Sequence, residues 1–184
     1  MKKVMIWGML LFFLLCTAGC SKENDDKENE DPKEADIQVG DPIPNFSVDL
    51  KSGEKVTNQS LKGKISVIYF FSITCPDCKE QFPIIERVYN EYKENSYFTL
   101  VGISRAEGAS VVDKFFEENN YTLPYSAQET RDVYSLFAPK IVPRIYISDA
   151  DGIVKNIFLD DPIASYEDLI KILDALLEEL CCKA

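Results

Sequence analysis

Two cysteines separated by two residues, Cys75-Pro76-Asp77-Cys78, carry the clearest chemistry in this sequence. They follow an apolar run at 65–71 and precede a helical pattern, so they should lie at the start of a helix. Unpaired N–H groups and a partial positive charge at that point favour a thiolate at Cys75. Cys78, one turn later, lies close enough to attack a mixed disulfide formed on Cys75. The spacing therefore predicts thiol–disulfide exchange, with Cys75 as the nucleophile and Cys78 as the resolving thiol.

A zinc site is the alternative interpretation of a Cys-x-x-Cys pair. Zinc would need two further ligands, and the chain has no histidine and no second Cys-x-x-Cys. The other cysteines stand near the two ends of the chain and are Cys16, Cys20, Cys181 and Cys182. Redox chemistry is therefore the better interpretation, and the sequence predicts neither a metal site nor a cofactor.

The first 20 residues predict export from the cytoplasm. Two lysines precede an apolar run over 4–16, and Thr17-Ala18-Gly19-Cys20 follow. This pattern is typical of a secretory signal, and the run is too short for a permanent membrane span. Because a cysteine comes directly after small residues, the site resembles a bacterial lipobox, which implies a lipoprotein signal peptide at 1–19 and a lipid on Cys20. An ordinary secretory signal with an incidental cysteine is the alternative.

Composition divides the remaining chain into three parts. Residues 20–38 are polar and mainly acidic, and such a run cannot bury a core, so we expect a disordered tether. Residues 39–180 suffice for one ordinary domain, and 181–184 form a C-terminal tail. The net charge of −11 argues against nucleic acid as a partner. The protein is thus expected in the cell envelope, anchored to a membrane by lipid, on the periplasmic side in preference to the outer surface.

Apolar periodicity predicts alternating strands and helices within 39–180. The run at 65–71 is apolar on both faces, as expected for a central strand covered by helices on each side. Helical spacing of apolar residues occurs at 76–92, 111–119 and 166–180. Further strands are predicted at 46–50, 55–57, 98–104, 145–148 and 153–158. This order predicts an α/β fold with a mixed central sheet flanked by helices on both faces.

Several of these features together resemble the thioredoxin-like superfamily, specifically the exported TlpA/ResA-type thiol–disulfide oxidoreductases among the AhpC/TSA redoxins. They are the Cys-x-x-Cys motif, the entry Gly40-Asp41-Pro42-Ile43-Pro44-Asn45-Phe46, the segment Leu61-Lys62-Gly63-Lys64 and Val142-Pro143 before a late strand. The resemblance covers about 40–180. It implies a thioredoxin-like fold with an N-terminal β extension, and an enzyme that needs no cofactor.

The resemblance also implies roles for individual residues. Pro143 matches the family's cis-proline beside the thiols, where the backbone of Val142 would pair with an extended substrate strand. Pro76 and Asp77, between the two cysteines, would belong to the same substrate-binding surface. Glu107 falls where ResA-like members place an acid, and its carboxylate would accept the proton of the resolving thiol. A solvent-facing loop acid is the alternative for Glu107.

Three positions depart from the family's usual pattern. Thr74 stands where tryptophan often precedes the first cysteine, and Tyr69 stands where thioredoxin carries a buried aspartate. Arg144 replaces the threonine that commonly follows the cis-proline. The arginine would either raise the local positive potential and favour a thiolate or point to solvent.

The implied partners are disulfide-containing proteins of the envelope and a membrane-linked electron donor. A thiol peroxidase is one alternative, because such enzymes share the fold, although the Pro-x-x-x-Thr-x-x-Cys pattern of their peroxide pocket is missing around Cys75 and Cys78. A copper-handling module is the other. Copper sites of this fold pair cysteine with histidine, and the chain has no histidine.

Overall fold

Eleven helices and strands follow one another along residues 35–183, the part of the chain that the computed structural model describes. In chain order they are β1 (Ser47–Asp49), β2 (Lys55–Thr57), β3 (Ile65–Phe71), α1 (Pro76–Tyr92), β4 (Phe98–Ser104), α2 (Ala109–Asn119), β5 (Tyr125–Ser126), α3 (Asp132–Ser135), β6 (Arg144–Ser148), β7 (Val154–Phe158) and α4 (Tyr166–Lys183). Within this part of the chain no helix is both long enough and apolar enough to cross a bilayer.

Strand β3 is the centre of the fold, and all seven of its residues are buried. It pairs in parallel with β4 and antiparallel with β6, within a five-stranded sheet of order β5-β4-β3-β6-β7. Strands β1 and β2 form a separate antiparallel pair, which is the predicted N-terminal β extension. The predicted mixed sheet is therefore confirmed, and the continuous apolar run marks its central strand correctly.

Side chains of β3 point alternately to two covered faces of the sheet. On one face, Tyr69 and Phe71 pack against Phe82 of α1, with ring centroids 5.3 and 4.9 Å apart. On the other face, Phe70 packs edge-to-face against Tyr134 of α3 at 5.3 Å. The period-2 alternation of a strand thus builds two cores at once. The carboxyl end of β3 is held between them, directly before the Cys-x-x-Cys motif.

The two short elements β5 and α3 are missing from the sequence prediction. They have two and four residues, which is too few for a periodic pattern to register. Helix α2 also begins at Ala109, two residues before the predicted start, because Gly108 serves as its extended N-cap. These differences matter because α3 and the loop before α2 both contact the site described below.

Two predicted boundaries are corrected by the structure. Residues 35–38 were assigned by composition to the disordered tether, but the Ile37 N–H donates to Phe137 O at 2.9 Å and Asp36 pairs with Arg144 at 3.2 Å. At the other end, α4 runs through Cys181 and Cys182 to Lys183, since no glycine or proline follows Leu180 to stop it. The predicted signal peptide, the predicted lipid site Cys20 and the rest of the predicted tether lie outside the described residues.

Gln81 joins helix α1 to the segment that leads into α4. Its side chain is fully buried, its Nε2 donates to Ala164 O at 3.1 Å, and its Oε1 accepts from Ala164 N–H at 2.9 Å. One amide therefore satisfies both backbone groups of a buried residue. The hydrogen bonds hold the helix that carries the cysteines against α4.

We expect Gln81→Ala to lower the free energy of unfolding by about 3 kcal/mol, because it leaves two buried backbone groups without partners. Denaturant titration measures this change. Asn90→Ala on the same helix is the matched control, since Asn90 is exposed and hydrogen-bonds to its near neighbours Glu86 and Lys93. It should change stability by no more than about 0.5 kcal/mol. Equal losses in the two variants would contradict the assigned role of Gln81.

Candidate active site

Cys75 lies at the N-cap of α1, with φ −81° and ψ 124°. Pro76 occupies the first helical position, where its missing N–H costs no hydrogen bond. The Cys75 thiol is partly exposed and donates to the backbone carbonyl of Val142 at 3.3 Å. Pro76 and Asp77 are exposed beside it. The first cysteine is thus reachable from solvent at a helix N-terminus.

Cys78 is fully buried beneath the first turn of α1. Its Sγ accepts a hydrogen bond from the Ser72 backbone N–H at 3.4 Å, and its carbonyl accepts one from the Tyr69 hydroxyl at 3.1 Å. Burial raises the pKa of the Cys78 thiol far above its usual range, the Cys75 thiol adds to the rise, and the Ser72 N–H opposes it. The two sulfurs therefore have different environments, one half-buried and one fully buried.

The Val142-Pro143 peptide bond is cis, as the resemblance implies. Two side chains from the α3 region hold the loop that precedes it. The Tyr134 hydroxyl donates to the carbonyls of Lys140 and Ile141, the latter at 2.6 Å, and Arg131 Nη2 donates to Pro139 O at 2.6 Å. Val142 and Cys75, which are 67 residues apart in the sequence, are thereby brought together.

Glu107 lies in the loop between β4 and α2, and Ser72 links it to the buried cysteine. The Ser72 hydroxyl donates to Glu107 Oε1, while the Ser72 backbone N–H donates to Cys78 Sγ. Ser104 Oγ fixes the same loop by donating to Glu107 O at 2.7 Å. The second carboxylate oxygen, Oε2, is buried and accepts no hydrogen bond. The carboxylate of this half-buried residue therefore lies toward Ser72, and its role in proton transfer stays a prediction.

Arg144 and Tyr69, two of the departures from the family pattern, have defined places. Arg144 is 8% exposed, so the expectation that it points to solvent is wrong. Its Nη1 donates to Asp36 at 3.2 Å and to the Tyr146 hydroxyl at 3.1 Å. Tyr69 is fully buried, and burial raises the pKa of its hydroxyl well above the usual value. It stays protonated and serves as a donor under the Cys-x-x-Cys turn.

Two residues at this site are missing from the sequence prediction. Ser72 is 2% exposed and connects Glu107 to Cys78. A polar residue at the end of a buried apolar run was the available signal for it. Tyr134 fixes the loop before Pro143, and no sequence pattern marks it, because α3 has only four residues.

Comparison with known proteins identifies the family. Residues 39–157 match the AhpC/TSA family, so the chain belongs to it. It is similar to "Thioredoxin-like protein YneN" of Bacillus subtilis, with 27% identity over 158 residues, 85% of this chain and 90% of that protein. It is also similar to "Thiol-disulfide oxidoreductase ResA" of the same organism, with 22% identity over 92% of this chain and 94% of the relative.

A solved structure gives the same result for the fold. The thiol:disulfide interchange protein of Chlorobium tepidum, described as a thioredoxin family protein, superposes with a TM-score of 0.65 and 26% identity. The match covers 78% of this chain and 99% of that one. The predicted thioredoxin-like fold, the resemblance to thiol–disulfide oxidoreductases and the enzyme class are confirmed at this level.

The contrast between the two sulfurs predicts selective alkylation. At pH 7, iodoacetamide should modify Cys75 in a Cys78→Ser variant at least about tenfold faster than Cys78 in a Cys75→Ser variant, because the thiolate is the reactive form and Cys78 is buried with a raised pKa. Raising the pH to 9 should leave Cys78 slow, since it remains protonated there.

Mass spectrometry of the peptide that contains the motif measures this reaction without counting the exposed Cys181 and Cys182. Faster modification of Cys78 would reverse the assigned roles of the two cysteines.

Proposed function

We propose that this protein reduces disulfides of partner proteins in the cell envelope through Cys75 and Cys78. The Cys75 thiolate attacks one sulfur of the partner disulfide, whose S–S bond breaks, and the other partner sulfur leaves as a thiolate. Cys78 then loses its proton and attacks Cys75 Sγ, which releases the attached partner sulfur. Two electrons pass to the partner, and the protein is left with a Cys75–Cys78 disulfide.

The observation that supports this most directly is the pairing of a reachable thiol with a buried one. Cys75 is partly exposed at a helix N-cap, whereas Cys78 is fully buried three residues later. An incoming disulfide can meet only the first sulfur. The second is shielded from solvent and reacts only with Cys75 Sγ, once that sulfur carries the partner in a mixed disulfide. This order of access separates attack from release.

The substrate-binding surface is proposed to consist of Val142, Pro143, Pro76 and Asp77. The Val142 carbonyl already accepts a hydrogen bond from the Cys75 thiol at 3.3 Å, so this backbone lies within reach of anything bonded to that sulfur. An extended partner segment can pair with exposed backbone by β-augmentation, while side chains on the surface provide selectivity.

Glu107 is proposed as the group that accepts the Cys78 proton. With the pKa of this thiol raised, release of the mixed disulfide at neutral pH needs a base. The chain has no histidine, and Glu107 is the carboxylate linked to Cys78 through Ser72. Its Oε2 has an unused acceptor position in the protein interior. In this proposal, Glu107 takes the proton that Cys78 loses before it attacks Cys75 Sγ.

The proposed location is the cell envelope, with the protein attached through a lipid on Cys20 and facing the periplasm. The sequence pattern at 1–20 supports this proposal, as does the long polar run that follows it in the sequence. After each turnover the Cys75–Cys78 disulfide needs two electrons. A membrane-linked donor is the proposed source, because an oxidising compartment does not supply reduced thiols.

Cysteine variants test the exchange reaction. The reduced protein should reduce the disulfides of insulin, Cys75→Ser should abolish the reaction, and Cys78→Ser should accumulate a covalent adduct that mass spectrometry detects. A variant with both Cys181→Ser and Cys182→Ser is the matched control and should keep its rate. Consumption of hydrogen peroxide without reduction of insulin would favour the thiol peroxidase instead.

The pH dependence of adduct release tests Glu107. Glu107→Gln should slow release about a hundredfold at pH 7, the contribution of a positioned base, and the rate should climb with pH as the small thiolate fraction of Cys78 increases. Single-turnover kinetics between pH 6 and 10 measure this. Glu129→Gln is the matched control. Glu129 is an exposed carboxylate from the loop between β5 and α3, and its side chain lies against Gly108, the residue after Glu107. Superimposable profiles for Glu107→Gln and the unmodified chain would remove Glu107 from the mechanism.

A further inference from the structure

Ile141 has a backbone conformation that its side chain disfavours. Its φ is +69°, in the left-handed region, where branching at Cβ brings the side chain close to the backbone. The other non-glycine residue with positive φ in the described chain is Asn120, which caps α2, a position that asparagine tolerates. Strained conformations of this kind collect at functional sites, where the surroundings hold them in place.

Hydrogen bonds from α3 hold Ile141 in this conformation. The buried Tyr134 hydroxyl donates to the carbonyls of Ile141 and Lys140. The next residue, Val142, provides the carbonyl that contacts Cys75 Sγ at 3.3 Å. Ile141 is therefore fixed one residue away from the backbone group beside the nucleophilic sulfur.

The isoleucine side chain has no use in the core. It is 43% exposed, whereas Val142 beside it is 7% exposed. Glycine would adopt the same backbone without a steric cost. An exposed aliphatic side chain at a strained position next to the Cys75 thiol points to a contact with a partner molecule.

We infer that Ile141 is a specificity-determining residue, whose side chain contacts an aliphatic residue next to the disulfide cysteine of the partner protein. This inference rests on the proposed disulfide exchange. A partner segment bonded to Cys75 and paired along Val142 must pass Ile141, because Val142 directly follows it in the chain. Pro76, exposed and adjacent to Cys75 in sequence, is a second apolar residue beside the same thiol. Contact between aliphatic groups removes apolar area from water and favours such partners over polar ones.

Two synthetic peptides test this preference. Each has one intramolecular disulfide, and they differ only in the residues that flank one cysteine, leucine in one peptide and serine in the other. The reduced, unmodified chain should reduce the leucine peptide about fivefold faster, as expected for a partial aliphatic contact. Ile141→Gly should bring the two rates within about twofold of each other, mainly by slowing the leucine peptide. Ile141→Val should keep most of the preference.

Val39→Ser is the control, because Val39 is also an exposed aliphatic residue, with 60% of its surface accessible. The neighbouring Gly40 hydrogen-bonds to Val154 of β7, which is an edge strand of the sheet. This variant should leave both rates unchanged. The melting temperature of Ile141→Gly should stay within a few degrees of the original, since relief of the steric cost offsets the greater freedom of the unfolded chain. Ile141→Asn, which also tolerates the left-handed region, gives the same comparison if the glycine variant is unstable.

Equal rates for the two peptides with the unmodified chain would overturn the role of Ile141 and leave the proposed function intact. An unchanged preference in Ile141→Gly would do the same. Reduction of neither peptide by the unmodified chain, with insulin also unreduced, would overturn the proposed function and this inference with it.

Discussion

The complete burial of strand β3 is the constraint on which the rest of this structure depends. Because both faces of the strand are covered, its backbone cannot slide or turn until the apolar run ends at Phe71. The chain then leaves the sheet at one fixed point and enters α1 at Cys75. The positions of both sulfurs follow from this, since one stands at the exposed helix cap and the other faces back toward the strand.

The same constraint explains why distant segments meet at the thiols. Parallel β4 ends beside β3, so the loop that carries Glu107 starts next to Ser72, with the Arg105 N–H bonded to Phe71 O at 2.7 Å. Antiparallel β6 begins at the same end of the sheet, which brings Val142 to Cys75. Three separate parts of the sequence therefore supply a thiol, a carboxylate and a backbone acceptor within one site.

The sequence predicts those parts of the fold whose physics is local. The apolar run of β3, the helical spacing of α1 and the Cys-x-x-Cys motif are continuous patterns, and the structure places all three as expected. The links between segments are different. Ser72 and Tyr134 act through a few hydrogen bonds, to a residue far along the chain or to a short loop, and such bonds leave no pattern in the sequence. Composition also misassigns residues 35–38, since a polar stretch can still attach to a domain through its backbone groups.

Tyr134 has a consequence for the thermodynamics of partner association. Its ring is packed against Phe70 in the core, while its hydroxyl donates to the loop beside Cys75. The loop is thus preorganised, and the conformational entropy of ordering it has already been lost during folding. On association, conformational entropy is then lost mainly by the docking polypeptide. Differences in affinity between partners should therefore reflect the partners' own sequences and flexibility, with little contribution from rearrangement of this protein.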